Sequence, residues 1–600
     1  MPVIAIPTEP LRRIVGLDVD DQRLSDLLEG LGCDVEGFAP VRRIRCSACR
    51  SIVERTEKGE LPGACPECLT GAGEDIDRFW EDLGTENAIR MDLLPVRPDL
   101  FDAGGLARAL RGLLGIETGL PRYELREAVY EVRVDPAMGN PDSYRPYIEC
   151  AVVRGVALDD FAIRAVMKLQ EDLHWALGRD RKFASIGVYD LGTLEGPFRY
   201  RPVGPEEIEF VPLASIDGKA RTPRAILETH PKGMGYRHLL DGMARYPLLH
   251  DGKGRVLSMP PIINSQETAL RPESTDLFID VTGIEERPVR KALNVLVTSF
   301  AELFSGAAIE KVAIARGDEG RTETPDLTPA EFLLSPAEAT RIVGVPVNAA
   351  EAVMRLEAMR HGGAVEGDRV RVRVPAFRND ILHEVDLIED VAMAIGYDEI
   401  PRVLIPSFTL GKERPERVLQ ALARAAMIGL GFREAMSLML TGEKDLYENV
   451  RAVDPGDAVR AENPASSDQT VLRTALGPGL LRLLGRNRGA GLAHRLFEAD
   501  DVLRIVEDRE EPEEKLRVAA VIQDKAAGFA DIKSVVVALA REIGWSLEFR
   551  PSTDALFLEG RGAVLSVGGR EIGAAGEVHP EVLENFGINA PVAIFELELT

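Results

Sequence analysis

Three groups of side chains in this sequence have the types and spacing to do chemistry. The first is acidic. Asp386, Glu389 and Asp390 stand at i, i+3 and i+4, so on a helix their carboxylates share one face, and Asp380 lies just ahead of it. Like charges at that spacing repel, and a hard cation such as Mg²⁺, which prefers oxygen ligands, would relieve them. The same residues would also serve as a solvated helix start that complements the dipole, or as a face toward Lys and Arg of a partner. The second group is Cys46-Ser47-Ala48-Cys49 and Cys65-Pro66-Glu67-Cys68. Two such pairs at this separation fit a four-thiolate structural Zn²⁺ site, and four thiolates leave no open position for catalysis. A redox dithiol pair and a metal-free insert are the alternatives. The third is Asp280 and Thr282 in Leu277-Phe278-Ile279-Asp280-Val281-Thr282-Gly283. A strand puts both on one face, where they could bind a small polar ligand or simply pair with backbone.

The elements that must position these groups follow from periodicity. Val385, Ile388, Val391, Ala392 and Ile395 recur at helical spacing beside the acids and are expected to pack inward. The intervening piece of the cysteine insert is polar and too short for a core, so a metal would let it fold. Leu24, Leu27, Leu28 and Leu31 give an amphipathic helix ending at Gly32, and residues 88–94 read as a strand. A helix is expected over 161–177, with Ala162, Val166, Leu169, Leu173 and Leu177 on one face, followed by a strand out of the basic turn at Arg181 and Lys182. Helices are expected at 336–343, 349–357 and 415–429, and a strand at 370–374. Cys33 and Cys150 read as ordinary buried thiols.

Bulk properties bound the function. Six hundred residues are too many for one core. The balance of 45% hydrophobic and 28% charged residues is that of an ordinary globular protein, and no apolar run nears the ~20 residues of a membrane span. The N-terminus lacks the basic stretch and long apolar run of a secretory signal, so a cytoplasmic location with no membrane contact is the expectation. A net charge of −26 argues against general nucleic-acid binding but leaves room for a local basic groove.

Several stretches in order resemble one family. Arg97-Pro98-Asp99-Leu100 with Gly105-Leu106-Ala107-Arg108-Ala109-Leu110-Arg111, the run from Val374 through Asp380 to Pro401, Val471-Leu472-Arg473-Thr474-Ala475-Leu476-Gly477-Pro478-Gly479, and Gly576-Glu577-Val578-His579-Pro580-Glu581 are similar to phenylalanyl-tRNA synthetase β subunits of the archaeal and eukaryotic type. The resemblance covers nearly everything outside the cysteine insert. It implies a multidomain α/β and α+β chain: an N-terminal α/β domain over 1–118 with the insert at 44–72, a B3/B4 editing domain over 119–325, a B5 domain over 326–403, and over 404–600 a class II synthetase-like antiparallel-sheet domain without its own active site. It implies Mg²⁺ at Asp380, Asp386, Glu389 and Asp390, shared with an α subunit. It implies an editing pocket at Leu249, Ser258, Asp280 and Thr282 with Asn264 nearby, which hydrolyses tyrosine wrongly attached to phenylalanine tRNA. Such a site has a physical reason, since a hydrophobic pocket rejects an added hydroxyl only about 10²-fold. The implied partners are the α subunit in an (αβ)₂ heterotetramer, tRNA(Phe), and phenylalanine and ATP through the α subunit.

Class II chemistry needs Arg to hold the triphosphate of ATP, and residues 571–600 contain no Lys or Arg. The last domain is therefore expected to be a pairing surface rather than a second active site. The chain ends at Glu596-Leu597-Glu598-Leu599-Thr600, which the resemblance reads as the shorter form without an added C-terminal tRNA-binding domain. Two other classes compete: a non-enzymatic interaction scaffold, and a free-standing editing hydrolase.

Overall fold

The computed structural model describes residues 3–16, 19–56, 60–66, 68–73, 76–317, 320–405, 407–507 and 509–599. The chain divides into two units, Met1–Val403 and Leu404–Thr600.

The first unit is built on three sheets. The N-terminal sheet holds Val3–Pro7, Trp80–Asp92, Asp34–Cys46 and Ile52–Thr56, in that order and antiparallel throughout. The strand expected at 88–94 is much longer, because Trp80–Asp92 pairs with Asp34–Cys46 along its whole length. The cysteines expected in an insert at 44–72 sit where this strand pair ends. They close the end of a ribbon that is continuous with the N-terminal sheet.

The second sheet has ten strands and carries the candidate pocket. Strand Asp276–Gly283 lies between Tyr147–Arg154 and Ala184–Asp190, antiparallel to both. Alternation sorts its side chains as the sequence leads one to expect. Leu277, Ile279 and Val281 join one core and Phe278 another on the opposite face. Helix Asp160–Ala176, capped by Asp159 accepting from the Ala162 amide, buries Ala162, Val166, Leu169 and Leu173 against the sheet. That core also takes in Ile4, Leu24, Phe101 and Leu106 from the N-terminal part and Phe377 from beyond the ten-stranded sheet, so the first unit coheres around shared apolar contacts. Cys33 and Cys150 are both buried, and burial pushes both thiols up, Cys33 to about 12.

The third sheet pairs Ala330–Leu334, Arg369–Val374 and Gly362–Glu366 under helices Pro336–Val343, Ala349–Ala358 and Glu384–Ile395. The last helix starts at Glu384, with His383 as its N-cap and the Asp386 carboxylate accepting from the His383 amide in a capping box. Leu387, Ile388 and Val391 face the core. Val385 is the exception to the expected face: it lies in the first turn and is exposed.

The second unit is a seven-stranded sheet in the order Arg433–Glu434, His494–Arg504, Glu513–Gln523, Val592–Glu598, Arg570–Val578, Phe557–Val567, Glu548–Pro551. All its pairings are antiparallel except the first. Helices Pro415–Gly429 and Phe529–Glu542 cover one face, and Gly477–Arg486 the other.

Candidate functional site

The pocket lies beside strand Asp276–Gly283 and has a volume of about 90 Å³. Ser258, Asn264 and Asp280 line it. The strand register brings them there: Asp280 lies opposite Gly187, while Ser258 and Asn264 pair across a short hairpin. Two expected residues are not on its wall. Leu249 is fully buried in the neighbouring core. Thr282 lies one alternation further along, where its hydroxyl accepts from Arg145 Nε at 3.1 Å and lies 3.0 Å from Ser185 Oγ.

Asp280 is almost wholly buried, and the Tyr189 hydroxyl donates to it at 2.5 Å. Burial raises the Asp280 carboxyl to about 7, against the pull of the Tyr189 hydrogen bond and the Arg145 charge. Burial also brings Arg145 down to about 10. Ser258 Oγ is buried without a hydrogen bond of good geometry and lies beside the Tyr189 phenol. A buried hydroxyl left so is costly, and a ligand hydroxyl or water there would satisfy it. The pocket can therefore recognise a hydroxyl group through one acceptor and one donor–acceptor.

Sequence reasoning missed most of the remaining wall. Gln170, Glu171 and His174 project from helix Asp160–Ala176, and Tyr189 from the adjacent strand. Gln170 Nε2 donates to the Ile186 carbonyl and His174 Nε2 accepts from the Ile186 amide, which fixes the end of the helix to the sheet. Arg179, Asp180 and Arg181 follow with φ of 44°, 56° and 67°, a run that side chains resist. Arg181 holds it, donating to Glu171 Oε1 at 2.6 Å and to the Ile262 carbonyl at 3.1 Å. The one signal available beforehand was the basic turn at Arg181 and Lys182.

At the ribbon end the four cysteines converge. Their sulfurs all lie within 4.8 Å of one another, with Cys46–Cys68 at 3.9 Å and Cys49–Cys65 at 3.7 Å. A tetrahedral Zn²⁺ with Zn–S bonds of about 2.3 Å sets its sulfurs about 3.8 Å apart, so the donor set fits that ion. Each pair sits in the same turn: the Arg50 amide donates to the Cys46 carbonyl, and the Leu69 amide to the Cys65 carbonyl. Both Arg50 and Leu69 have positive φ, 63° and 57°. A small cluster of Ile44 and Trp80 packs with the cysteines, more core than the sequence suggested.

The acidic quartet is arranged otherwise than a cation site requires. Arg378 Nη1 lies 2.9 Å from Asp390 Oδ2, and its Nη2 lies 2.7 Å from Asp380 Oδ2. His361 Nε2 is 2.6 Å from Asp390. Burial works against ionising Asp390, but Arg378 and His361 hold its carboxyl well below the usual range. Asp386 is engaged in the capping box, and Glu389 is exposed. Among the described residues only the four cysteines form a cluster suited to a metal. As they are held here, the four acids do not fit Mg²⁺, because the Arg378 guanidinium already pairs with Asp380 and Asp390 and the Asp386 carboxylate accepts from the Leu382 and His383 amides.

The second unit has a cavity of about 440 Å³ lined by Ser437, Arg473, Arg482 and Glu498, among others. Arg473 is nearly buried and bonds Glu498 Oε1 at 2.5 Å and Asp500 Oδ2 at 2.7 Å; Arg482 faces Asp445 at 3.2 Å. The unit also exposes apolar residues. Met436 and Leu438 are 87% and 69% accessible, and Val418, Leu422 and Ile428 of helix Pro415–Gly429 are exposed too.

Comparison with known proteins adds the last observations. Residues 400–599 match the family described as phenylalanyl tRNA synthetase beta chain CLM domain, and residues 332–397 the tRNA synthetase B5 domain. The phenylalanine–tRNA ligase beta subunit of Methanothrix thermoacetophila is 42% identical over 545 residues, 90% of this chain and 98% of that protein. That of Methanosarcina barkeri is 41% identical over 528 residues, 88% and 93% of the two chains. Among solved structures, an N-terminal fragment of the phenylalanyl-tRNA synthetase beta subunit from Pyrococcus horikoshii superposes with a TM-score of 0.55 at 32% identity, over 66% of this chain and 99% of the fragment.

Proposed function

The chain belongs to the family of phenylalanine–tRNA ligase beta subunits, and from that premise we propose that it works as the non-synthetic half of a two-subunit ligase. An α subunit forms phenylalanyl-adenylate from ATP and phenylalanine and passes phenylalanine to tRNA(Phe). This chain pairs with it in an (αβ)₂ assembly and removes tyrosine from mischarged tRNA. The observations that support the pairing are the exposed apolar side chains Met436 and Leu438 and, on helix Pro415–Gly429, Val418, Leu422 and Ile428. The internal pairing of Arg473 and Arg482 with carboxylates supports a unit that binds no triphosphate of its own. The α contact is assigned to that apolar surface, with no role routed through Mg²⁺ at the acidic quartet. The four-cysteine site, when loaded with Zn²⁺, ties the ribbon end together. The three-way division of the first unit at about 118 and 325 belongs to the same reading, as does a cytoplasmic location; no helix among the described residues is long and apolar enough to cross a membrane.

The editing proposal rests on Asp280 and Ser258 at one small pocket. A tyrosine phenol donating to Asp280 and meeting Ser258 satisfies both, and phenylalanine satisfies neither. Leu249 and Thr282 support the pocket from behind its wall.

The experiment is phenylalanine attachment by this chain alone, by the α subunit alone, and by both, followed by deacylation of Tyr-tRNA(Phe). Charging only in the mixture supports the pairing. Asp280→Ala is expected to raise tyrosine mischarging at least tenfold with phenylalanine charging near normal. Equal loss of both would defeat the editing assignment. Deacylation without the α subunit would favour the free-standing hydrolase.

A further inference from the structure

We propose that the cysteine ribbon holds the editing pocket in shape by clamping one helix, and that Arg164 is the positioning residue through which it does so. The proposal rests on the editing reading of the pocket given above.

Helix Asp160–Ala176 has two working faces. Asp160, Arg164 and Lys168, at i, i+4 and i+8, form one stripe, and Met167, Glu171 and His174, at i, i+4 and i+7, form another. The second stripe lines the pocket. The first faces the ribbon. Arg164 Nη1 lies 2.5 Å from Glu54 and 2.9 Å from Glu86, which come from two different strands of the N-terminal sheet. Asp160 lies 3.4 Å from Arg43 and 3.9 Å from Arg45, on the strand that ends at Cys46. Lys168 lies 3.9 Å from Glu54 and donates to the Ala5 carbonyl at 2.8 Å.

Isolated surface ion pairs contribute little. This seam differs, because the Arg164 side chain is only 12% exposed and bridges two carboxylates at once. Removing Arg164 leaves Glu86 with Arg43 at 3.7 Å and Glu54 with Lys168 at 3.9 Å, longer pairings in a poorly solvated place. The seam also joins strands whose ends meet at the cysteine site. Arg45 is adjacent to Cys46, and Glu54 lies on the strand that leaves the first cysteine pair. A metal bound at one end of the ribbon thereby limits the freedom of a helix whose other face shapes the pocket. No contact between the ribbon and a substrate is needed.

The test uses the full chain paired with its α subunit, prepared with Zn²⁺, stripped of metal by a chelator, and as Arg164→Ala and Arg164→Lys. Two quantities are read: hydrogen exchange of amides 160–176, and kcat and KM for Tyr-tRNA(Phe) deacylation, with phenylalanine charging as control. Stripping is expected to speed exchange in the first two turns of the helix. It should also lower kcat roughly 10- to 100-fold, with KM little changed, as a misplaced wall does. Arg164→Ala should do the same while retaining Zn²⁺, and Arg164→Lys should recover part of the loss. Unchanged exchange and kcat after metal loss, or an Arg164→Ala chain indistinguishable from wild type, would overturn the proposal. If the wild-type assembly deacylates nothing, the editing reading fails, and the exchange measurement still decides whether the metal steadies the helix.

Discussion

Asp280 combines an acidic side chain with a site that disfavours its charge, and this makes stability depend on pH. Its folded value of about 7 lies above the ordinary 3.8, so the folded state binds the proton more tightly than the unfolded one. The resulting stabilisation is fully present below about pH 3.8 and is lost as pH rises through 7. From about 1.4 kcal/mol per pH unit the loss is on the order of 4 kcal/mol. Asp280→Asn, which keeps an acceptor for Tyr189, should flatten the slope of unfolding free energy between pH 4 and 7; urea titrations that keep the full slope would place the dependence elsewhere. Arg378 gives the opposite case of a charge satisfied by burial among acids. Arg378→Met should cost about 3–5 kcal/mol by taking the guanidinium from two acids, leaving Asp390 to His361 and Asp380 to Arg97 at 4.0 Å. Mg²⁺ should then raise the melting temperature of the variant and not of the wild type. A wild-type chain stabilised equally by Mg²⁺ would show that the acids bind the ion despite the guanidinium. Residue types made the cysteine set and the alternation around Asp280 legible in the sequence. They could not reveal that Arg378 and His361 would claim Asp390, since His361 reaches it from a different segment and only folding sets that distance.

At the scale of elements, periodicity located the helices well, because their apolar faces are continuous: Pro336–Val343 and Pro415–Gly429 stand where the pattern put them. It underestimated Trp80–Asp92. The outer half of that strand is stabilised by pairing with Asp34–Cys46 and by the cysteine cluster, neither of which leaves an apolar alternation to read. It also misplaced Val385, whose spacing is right but whose turn precedes the buried part of the helix. The two cysteine turns carry a measurable strain of their own. Left-handed backbone at a residue with a side chain costs roughly 1–2 kcal/mol, and glycine removes that cost. Leu69→Gly is therefore expected to stabilise the ribbon by about 1 kcal/mol and to slow Zn²⁺ loss to a competing chelator. Faster release would mean that the Leu69 side chain contributes more than its backbone costs.

At the scale of the whole molecule, the first unit shares a core across segments far apart in sequence, and the second carries its apolar residues on both sides of its sheet and outside it. The fold class was legible because several motifs occur in order; the extent of the exposed surface was not, since an apolar residue in a sequence does not say whether its own chain will cover it. Met436→Ser with Leu438→Ser should leave the folded chain intact, as both side chains are exposed, and weaken association with the α subunit by about tenfold or more. Sedimentation that detects no change would remove that surface from the contact. Exposure of this kind also has a consequence for the economy of the cell. On the proposed pairing, a subunit whose exposed apolar side chains are covered only by another gene product is a ready target for proteases and for self-aggregation whenever it is made in excess. The abundance of each chain is then set by the scarcer of the two, and balanced synthesis becomes a requirement written into the surface of the protein.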